Sequence, residues 1–405
     1  MGFARTFAKK LAMRKISADR IYPISSDPIE QGVLIVDASG TIQAVEHRSQ
    51  HDPASLEIYR GVLVPGFINT HCHLELSHLK GKVDTGTGLI PFITGVVTKR
   101  NATAEIIAEA IDKAEQEMLD GGIVALGDIS NAPDTFPVKN KGRMRYYTFL
   151  ELFDFLQEAN AESVFATGQA VYEQLLPATG SRKSYVPHAP YSVSTALFAK
   201  IRAANAGPGH TISIHNQETP PENELFLHKT GAFLDFYDKF GISLDAFEAN
   251  GQPSIYYALQ HLDPNCRTLF VHNTLSTRTD IRAAQAWSPH CYWASCPNAN
   301  LYIENRLPDY SAFLETNARV TLGTDSLTSN WQLSILEEMK TIARYQSYVP
   351  FGQLLRWATL NGAEALGFDD TLGSLEPGKT PGILLLEDLT EAGGLGAGTR
   401  VKRLV

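Results

Sequence analysis

The sequence predicts an α/β fold of the (β/α)8 type, a TIM-type barrel. Eight apolar β runs alternate with helical stretches through the middle of the chain, the pattern that builds a parallel sheet with helices outside it. Five of the eight runs close on histidine or aspartate, at the strand ends where such a barrel opens its site. Both chain ends differ in style, with short β segments joined by turns. An open doubly wound sheet is the alternative, but no G-x-G-x-x-G follows an early strand to favour it.

From about Lys15 to Val64 the pattern is short strands, and "GVLIVDASGTIQAV" reads as a hairpin turning at Asp37–Gly40. "GVLVPGFINTH" is the first run of the alternating region. In "ATAEIIAEAIDKAEQEMLDGG", Ile106, Ile107, Ala110, Ile111, Ala114 and Met118 share one side at helical spacing. Asn101 or Thr103 is its expected cap, and Gly121–Gly122 its stop. The runs "GIVALGDIS", "RYYTFLEL", "SYVPHAP", "TISIHNQE", "TLFVHNT", "HCYWASCP" and "RVTLGTDS" follow. "GQLLRWATLNGAEALG" reads as one more helix, closed by Gly367. The chain then returns to strands in "GILLLEDLT" and "RVKRLV".

At 405 residues, 43% hydrophobic and 20% charged, the chain suits one large domain with a smaller companion. A formal charge of −9 lacks the basic footprint of a nucleic-acid binder. Four cysteines (Cys72, Cys266, Cys291, Cys296) without a C-x-x-C pair suit free thiols in a reducing, cytoplasmic interior. No run approaches the roughly 18 apolar residues of a membrane span, so no membrane partner is expected. "MGFARTFAKKLAMRKI" is basic and mildly amphipathic without the apolar core of a secretory signal, and Met13 is an alternative start. A small molecule is the expected partner, and a homodimer stays open.

The chemistry sits at the run ends. His71 and His73 close the first run, His188 the fourth, His215 the fifth with Glu218 three residues on, His272 the sixth and Asp325 the eighth. Residues two apart on a strand face the same way, so His71 and His73 converge. Alone, His188 reads as a satisfied loop histidine, His272 as a core imidazole and Asp325 as a helix N-cap. Together they would strand uncompensated polar groups unless they bind something. Neutral imidazoles with a carboxylate suit a zinc-like divalent ion, which brings the pKa of its water towards 7. Glu218 is placed to carry protons, and His272 to polarise the water or hold an oxyanion.

"PGFINTHCH", "VPHAPYSVS", "IHNQE", "VHNTL", "LGTDSLTSN" and "LGSLEPGK" together resemble the amidohydrolase superfamily, and more closely its mononuclear deaminase and chlorohydrolase-like branch. The resemblance implies a metal-bearing barrel over 66–367 and a small β-sandwich built from both termini, 1–65 plus 368–405. It implies His71, His73, His215 and Asp325 as ligands of one divalent ion, zinc first, with iron or manganese as alternatives. Glu218 then resembles the proton shuttle, His272 the imidazole beside the water, and His188 a substrate-facing residue. Binuclear relatives carry a modified lysine on the fourth strand, and Lys183 comes too early for that. The stretch "TPGILLLE" departs from the family's usual alanine and aspartate after "LGSLEPGK".

The resemblance implies a hydrolase acting on carbon–nitrogen bonds. "HLELS" is similar to deaminases and chlorohydrolases, aminodeoxyfutalosine deaminases among them. The expected reaction is deamination of an amino-substituted N-heterocycle, with an adenine-type nucleoside such as 6-amino-6-deoxyfutalosine as substrate. Glu75, two residues past His73, would share its face and meet a ribose diol. Arg306 would pair with an acidic tail, near Tyr302 and Trp331. Other amidohydrolase chemistry on C–N or C–Cl bonds is the alternative. A non-enzymatic scaffold predicts lost ligands, and none is lost.

Overall fold

The computed structural model describes residues 13–176, 178–207 and 209–405. The expectations for residues 1–12 lie outside the described residues.

Each of the eight expected runs forms a parallel strand. They are β1 (Phe67–Cys72), β2 (Ile123–Ser130), β3 (Arg145–Leu152), β4 (Arg182–Pro187), β5 (Thr211–Asn216), β6 (Arg267–His272), β7 (Cys291–Ser295) and β8 (Val320–Leu322). They make two four-stranded sheets in sequence order, β1 to β4 and β5 to β8. The edge strands meet at both junctions. His215 N donates to His188 O (2.9 Å), and both Thr324 N and Asp325 N donate to His71 O (3.0 Å each). Gly323 permits the second approach, since a Cβ there would lie 2.9 Å from both His71 Cβ and Cys296 Sγ.

The strands are buried along almost their whole length, as parallel strands covered on both faces must be. The amphipathic helix Ala104–Asp120 buries Ile111, Ala114, Glu115 and Met118, and Gly121 closes it. The helix expected after Phe351 is instead two, Phe351–Ala358 and Leu360–Leu366. Thr359 breaks it at φ −134°, ψ −88°, with its hydroxyl donating to Leu355 O (2.6 Å). Beyond the break Gly362 packs on β1, where a Cβ would sit 2.8 Å from Ile68 Cβ.

The chain ends contribute two further sheets. One orders Ile42–His47, Gly32–Val36, Arg14–Ser17 and Glu57–Ile58; the other Arg400–Arg403, Ile383–Glu387, Val62–Pro65, Arg20–Ile21 and Ile29–Glu30. The expected hairpin is present, and Asp37 Oδ1 accepts from Ser39 N (2.9 Å) and Thr41 N (3.0 Å) across its turn. In the five-stranded sheet, side chains alternate between two cores. Val62, Val64, Leu384 and Leu386 join the main apolar cluster. Leu63, Ile383 and Leu385 join a second, with Ile16, Leu34, Val36 and Ile42 from the four-stranded sheet. Burial on both faces explains why "GVLVP" and "GILLLE" read as unbroken apolar runs.

All four cysteines are buried and free. Among the described residues, no helix is long and apolar enough to cross a membrane.

Candidate metal centre and active site

The polar strand ends converge on one cavity of about 380 Å³, lined by His73, His188, His215, Glu218, His272 and Asp325 among others. His71 is fully buried against them, with ring centroids 5.0 Å from His73, 4.9 Å from His215 and 5.8 Å from His272. His73 Nε2 lies 3.4 Å from His215 Nε2 and 3.7 Å from Asp325 Oδ1, and His71 Nε2 lies 4.0 Å from the same oxygen. Three overlapping groups have donor atoms within 4.8 Å of one another: His71, His73 and Asp325; His71, His215 and His272; and His73, Glu151 and His215.

This donor set fits a divalent cation. His71 is fully buried, yet neither ring nitrogen has a hydrogen-bond partner, an arrangement that costs free energy unless something accepts the lone pair. Burial holds the His71, His73 and His215 imidazoles below their ordinary pKa, so they stay neutral. His215 Nδ1–H donates to His188 O (2.8 Å), which leaves Nε2 as the free donor atom. Asp325 Oδ2 accepts from Ser329 Oγ (2.7 Å). Asp325 and His272 hold left-handed backbone angles, φ 55° and 71°, uncommon for such residues and typical of sites where geometry is imposed from outside.

Beside the cluster stands Glu218, 6% exposed. Tyr191 Oη donates to its Oε1 (2.5 Å), and its Oε2 lies 3.5 Å from His272 Nε2. Burial pushes the Glu218 carboxyl up to about 8 against the opposing pull of that hydroxyl. Glu218 N donates to Glu222 Oε2 (2.9 Å), which fixes the turn after β5. His272 Nδ1 donates to Asn300 Oδ1 (2.9 Å), leaving Nε2 towards Glu218. His188 Nδ1 is bonded to Ser192 Oγ (2.7 Å), and burial lowers its pKa to about 3.

Two sequence expectations need correction. β1 ends at Cys72, and Leu74–Leu79 is a 3-10 turn, so Glu75 does not share a strand face with His73. Its carboxylate turns away to accept Asn131 N (3.0 Å) and Ala132 N (3.2 Å), and so holds the loop after β2. Arg306 follows the helix Pro297–Glu304, is exposed and is not part of the cavity wall. Tyr302 donates to Val83 O (2.6 Å) and Trp331 is half exposed; neither lines the cavity. Lys183 sits at the start of β4, donating to Tyr172 O (2.7 Å) and Leu175 O (2.8 Å), far along the strand from His188.

Sequence reasoning missed Glu151. It ends β3 with Oε1 buried and unpaired, 3.7 Å from His215 Nδ1, and its carboxyl is pushed up to about 8 by burial. The signal was weak, since "RYYTFLEL" closes on Leu152 with Glu151 one residue before its end. Tyr191, Asn300 and Ser329 had no periodic signal, because each belongs to a segment beyond its strand.

Known proteins resemble the chain in sequence and in fold. An adenosine deaminase of Helicobacter pylori is 26% identical over 327 residues, covering 78% of this chain and 77% of that one. The crystal structure of Helicobacter pylori aminofutalosine deaminase with methylthio-coformycin superposes with a TM-score of 0.76 at 22% identity, over 95% of this chain and 92% of that one. An adenosine deaminase of Xanthomonas campestris with bound zinc gives a TM-score of 0.71 at 23% identity, over 93% and 85%. The model of the amidohydrolase family matches residues 62–395, and the chain belongs to that family of hydrolases acting on carbon–nitrogen bonds.

Proposed function

We propose that the protein is a metal-dependent hydrolytic deaminase of an adenine-type nucleoside. The observation that carries this reading is the position of Glu218, between Tyr191 and His272 and in the same cavity as the imidazole and carboxylate cluster. We read His71, His73, His215 and Asp325 as the holders of one divalent ion, zinc first. When bound, such an ion lowers the pKa of water at the site towards 7 and so supplies a nucleophile at neutral pH.

The chain's own groups do the rest. Glu218 takes the proton of the attacking water and delivers it to the ring nitrogen beside the amine-bearing carbon. The second proton of the water passes to the amine, the C–N bond breaks and ammonia leaves, and the ring keeps the oxygen as its 6-oxo group. His272 Nε2 and Asp325 accept the O–H bonds of the water and so orient its oxygen towards the amine-bearing carbon. His188, kept neutral, faces the ring. Supporting relatives include the adenosine deaminase above and an aminodeoxyfutalosine deaminase of Nitratiruptor, 26% identical over 345 residues.

We also read the two parallel sheets as halves of one (β/α)8 barrel over 66–367, and the terminal sheets of 1–65 and 368–405 as an accompanying sandwich. Aminodeoxyfutalosine remains a member of the substrate class, although Arg306 does not supply a cation for its acidic tail. The test is an ultraviolet assay of the 6-amino to 6-oxo change on aminodeoxyfutalosine, adenosine, 5'-deoxyadenosine and S-adenosylhomocysteine, beside guanine, cytosine and a chlorotriazine. Turnover of nucleosides is expected. Efficient turnover of only a free base or the triazine overturns the reading.

A further inference from the structure

We propose that Glu338 is a positioning residue that sets the spacing of His272 and Asp325, the two acceptors for the attacking water; this rests on the deaminase reading and deepens it. His272 ends β6 and Asp325 follows β8, with β7 between them. Glu338 belongs to the helix Ile335–Tyr345 and does not line the cavity. It is fully buried, and its carboxyl grips a segment on either side.

On the first side, Glu338 Oε2 accepts Asn298 N (2.8 Å) and Oε1 accepts Asn298 Nδ2 (3.0 Å). Asn298 lies in the first turn of the helix Pro297–Glu304, whose N-cap residue Cys296 supplies no side-chain cap. A carboxyl oxygen at one of those free N–H groups caps the helix from outside. Two residues on, Asn300 Oδ1 receives the His272 Nδ1–H (2.9 Å). The helix thus carries the hold of Glu338 to the imidazole and to its tautomer.

On the second side, Glu338 Oε1 accepts Asn330 Nδ2 (2.8 Å), and the same nitrogen donates to Thr324 O (2.7 Å). That carbonyl belongs to the peptide joining Thr324 to Asp325, whose N–H donates to His71 O (3.0 Å). The peptide is therefore fixed at both ends, a hold that the left-handed φ of 55° at Asp325 requires. Packing alone does not account for the carboxyl. Its three N–H partners are neutral, and burial pushes it up to about 8 in spite of them. An apolar side chain would fill the space at less cost, but it would release Asn298 and Asn330 together.

The test compares the full-length parent with Glu338→Gln, Asn330→Ala and the double variant. Each is loaded with Co2+, whose visible absorption reports ligand geometry, and each is titrated with Zn2+. Both single variants should shift the cobalt bands and weaken zinc binding by about 10- to 100-fold. In the deaminase assay, kcat should fall by a similar factor in Glu338→Gln while KM stays within about threefold. The double variant should be no worse than the more affected single one, because both changes cut one link. Parental spectra and affinity in both single variants overturn the proposal, as does a loss confined to KM or to Tm. If Glu338→Gln does not fold, Asn330→Ala decides alone. If no adenine nucleoside reacts, the deaminase reading fails, and the cobalt spectra still decide whether Glu338 places Asp325.

Discussion

The Tyr191 hydroxyl donates to Glu218 Oε1 at 2.5 Å, and the Tyr237 hydroxyl in turn donates to the Tyr191 carbonyl. The proton-carrying carboxyl is therefore held by a neighbour that favours its ionised form, inside surroundings that favour its neutral form. Tyr191→Phe removes the first influence and leaves the second. Glu218 should then keep its proton to higher pH, and the limb of the kcat/KM profile that reports it should move up by on the order of one pH unit. An unmoved limb would remove Tyr191 from the network.

Glu218→Gln keeps the shape of the side chain and loses its proton traffic. Turnover should fall by roughly 10²–10⁴-fold, the usual worth of a general acid–base. Metal content, measured by elemental analysis, should match the parent protein. Near-parental kcat in this variant would take Glu218 out of the mechanism.

Removal of the ion should abolish activity and lower thermal stability together, because the fully buried His71 imidazole has no hydrogen-bond partner on either nitrogen. At a free ion concentration 100 times the dissociation constant, binding contributes about 2.7 kcal/mol. Dialysis against a chelator should lower Tm, and one equivalent of zinc per chain should restore it. A requirement for two equivalents would contradict a single-ion centre.

Glu222 supplies a pH test away from the cluster. It is fully buried, accepts Gln217 N (3.0 Å) and Glu218 N (2.9 Å), and is also bonded by Ser254; burial nonetheless pushes its carboxyl up to about 7. The folded chain then binds a proton that the unfolded chain, with an ordinary glutamate, releases near 4. Stability from this group is full below that value and declines as pH rises towards 7, by up to about 3 kcal/mol. Urea unfolding at pH 5 and pH 7.5 should show a smaller decline in Glu222→Gln than in the parent. Equal declines in both would exclude Glu222 as the source.

Much of the fold and the site core was legible because strand ends are periodic in sequence. Alternating β and α runs place every eighth-part of the sheets, and a polar residue closing an apolar run marks His71, His188, His215, His272 and Asp325. Glu75 was misplaced because two-residue periodicity was carried one turn too far, past the end of β1 at Cys72. Arg306 was misplaced because charge alone carries no direction; the chain reverses at Asn305, φ 49°, and leaves the guanidinium outside. Glu151 shows the opposite error, a residue near the right topological position passed over because Leu152, not Glu151, closes its run. The apolar part of the cavity wall was invisible for a simpler reason. Its segments, near residues 92, 155 and 240, are too distant in sequence for any local pattern to join them.

The division of the strands into two consecutive sheets bears on how the chain acquires its ion. The four proposed ligands are split evenly, His71 and His73 with the N-terminal half and His215 and Asp325 with the C-terminal half. Neither half alone offers more than two of them, a chelate too poor to compete for zinc. Tight loading by the proposed ligand set is therefore expected only of a chain in which both sheets are in place, so the ion would tie the two halves of the sequence together.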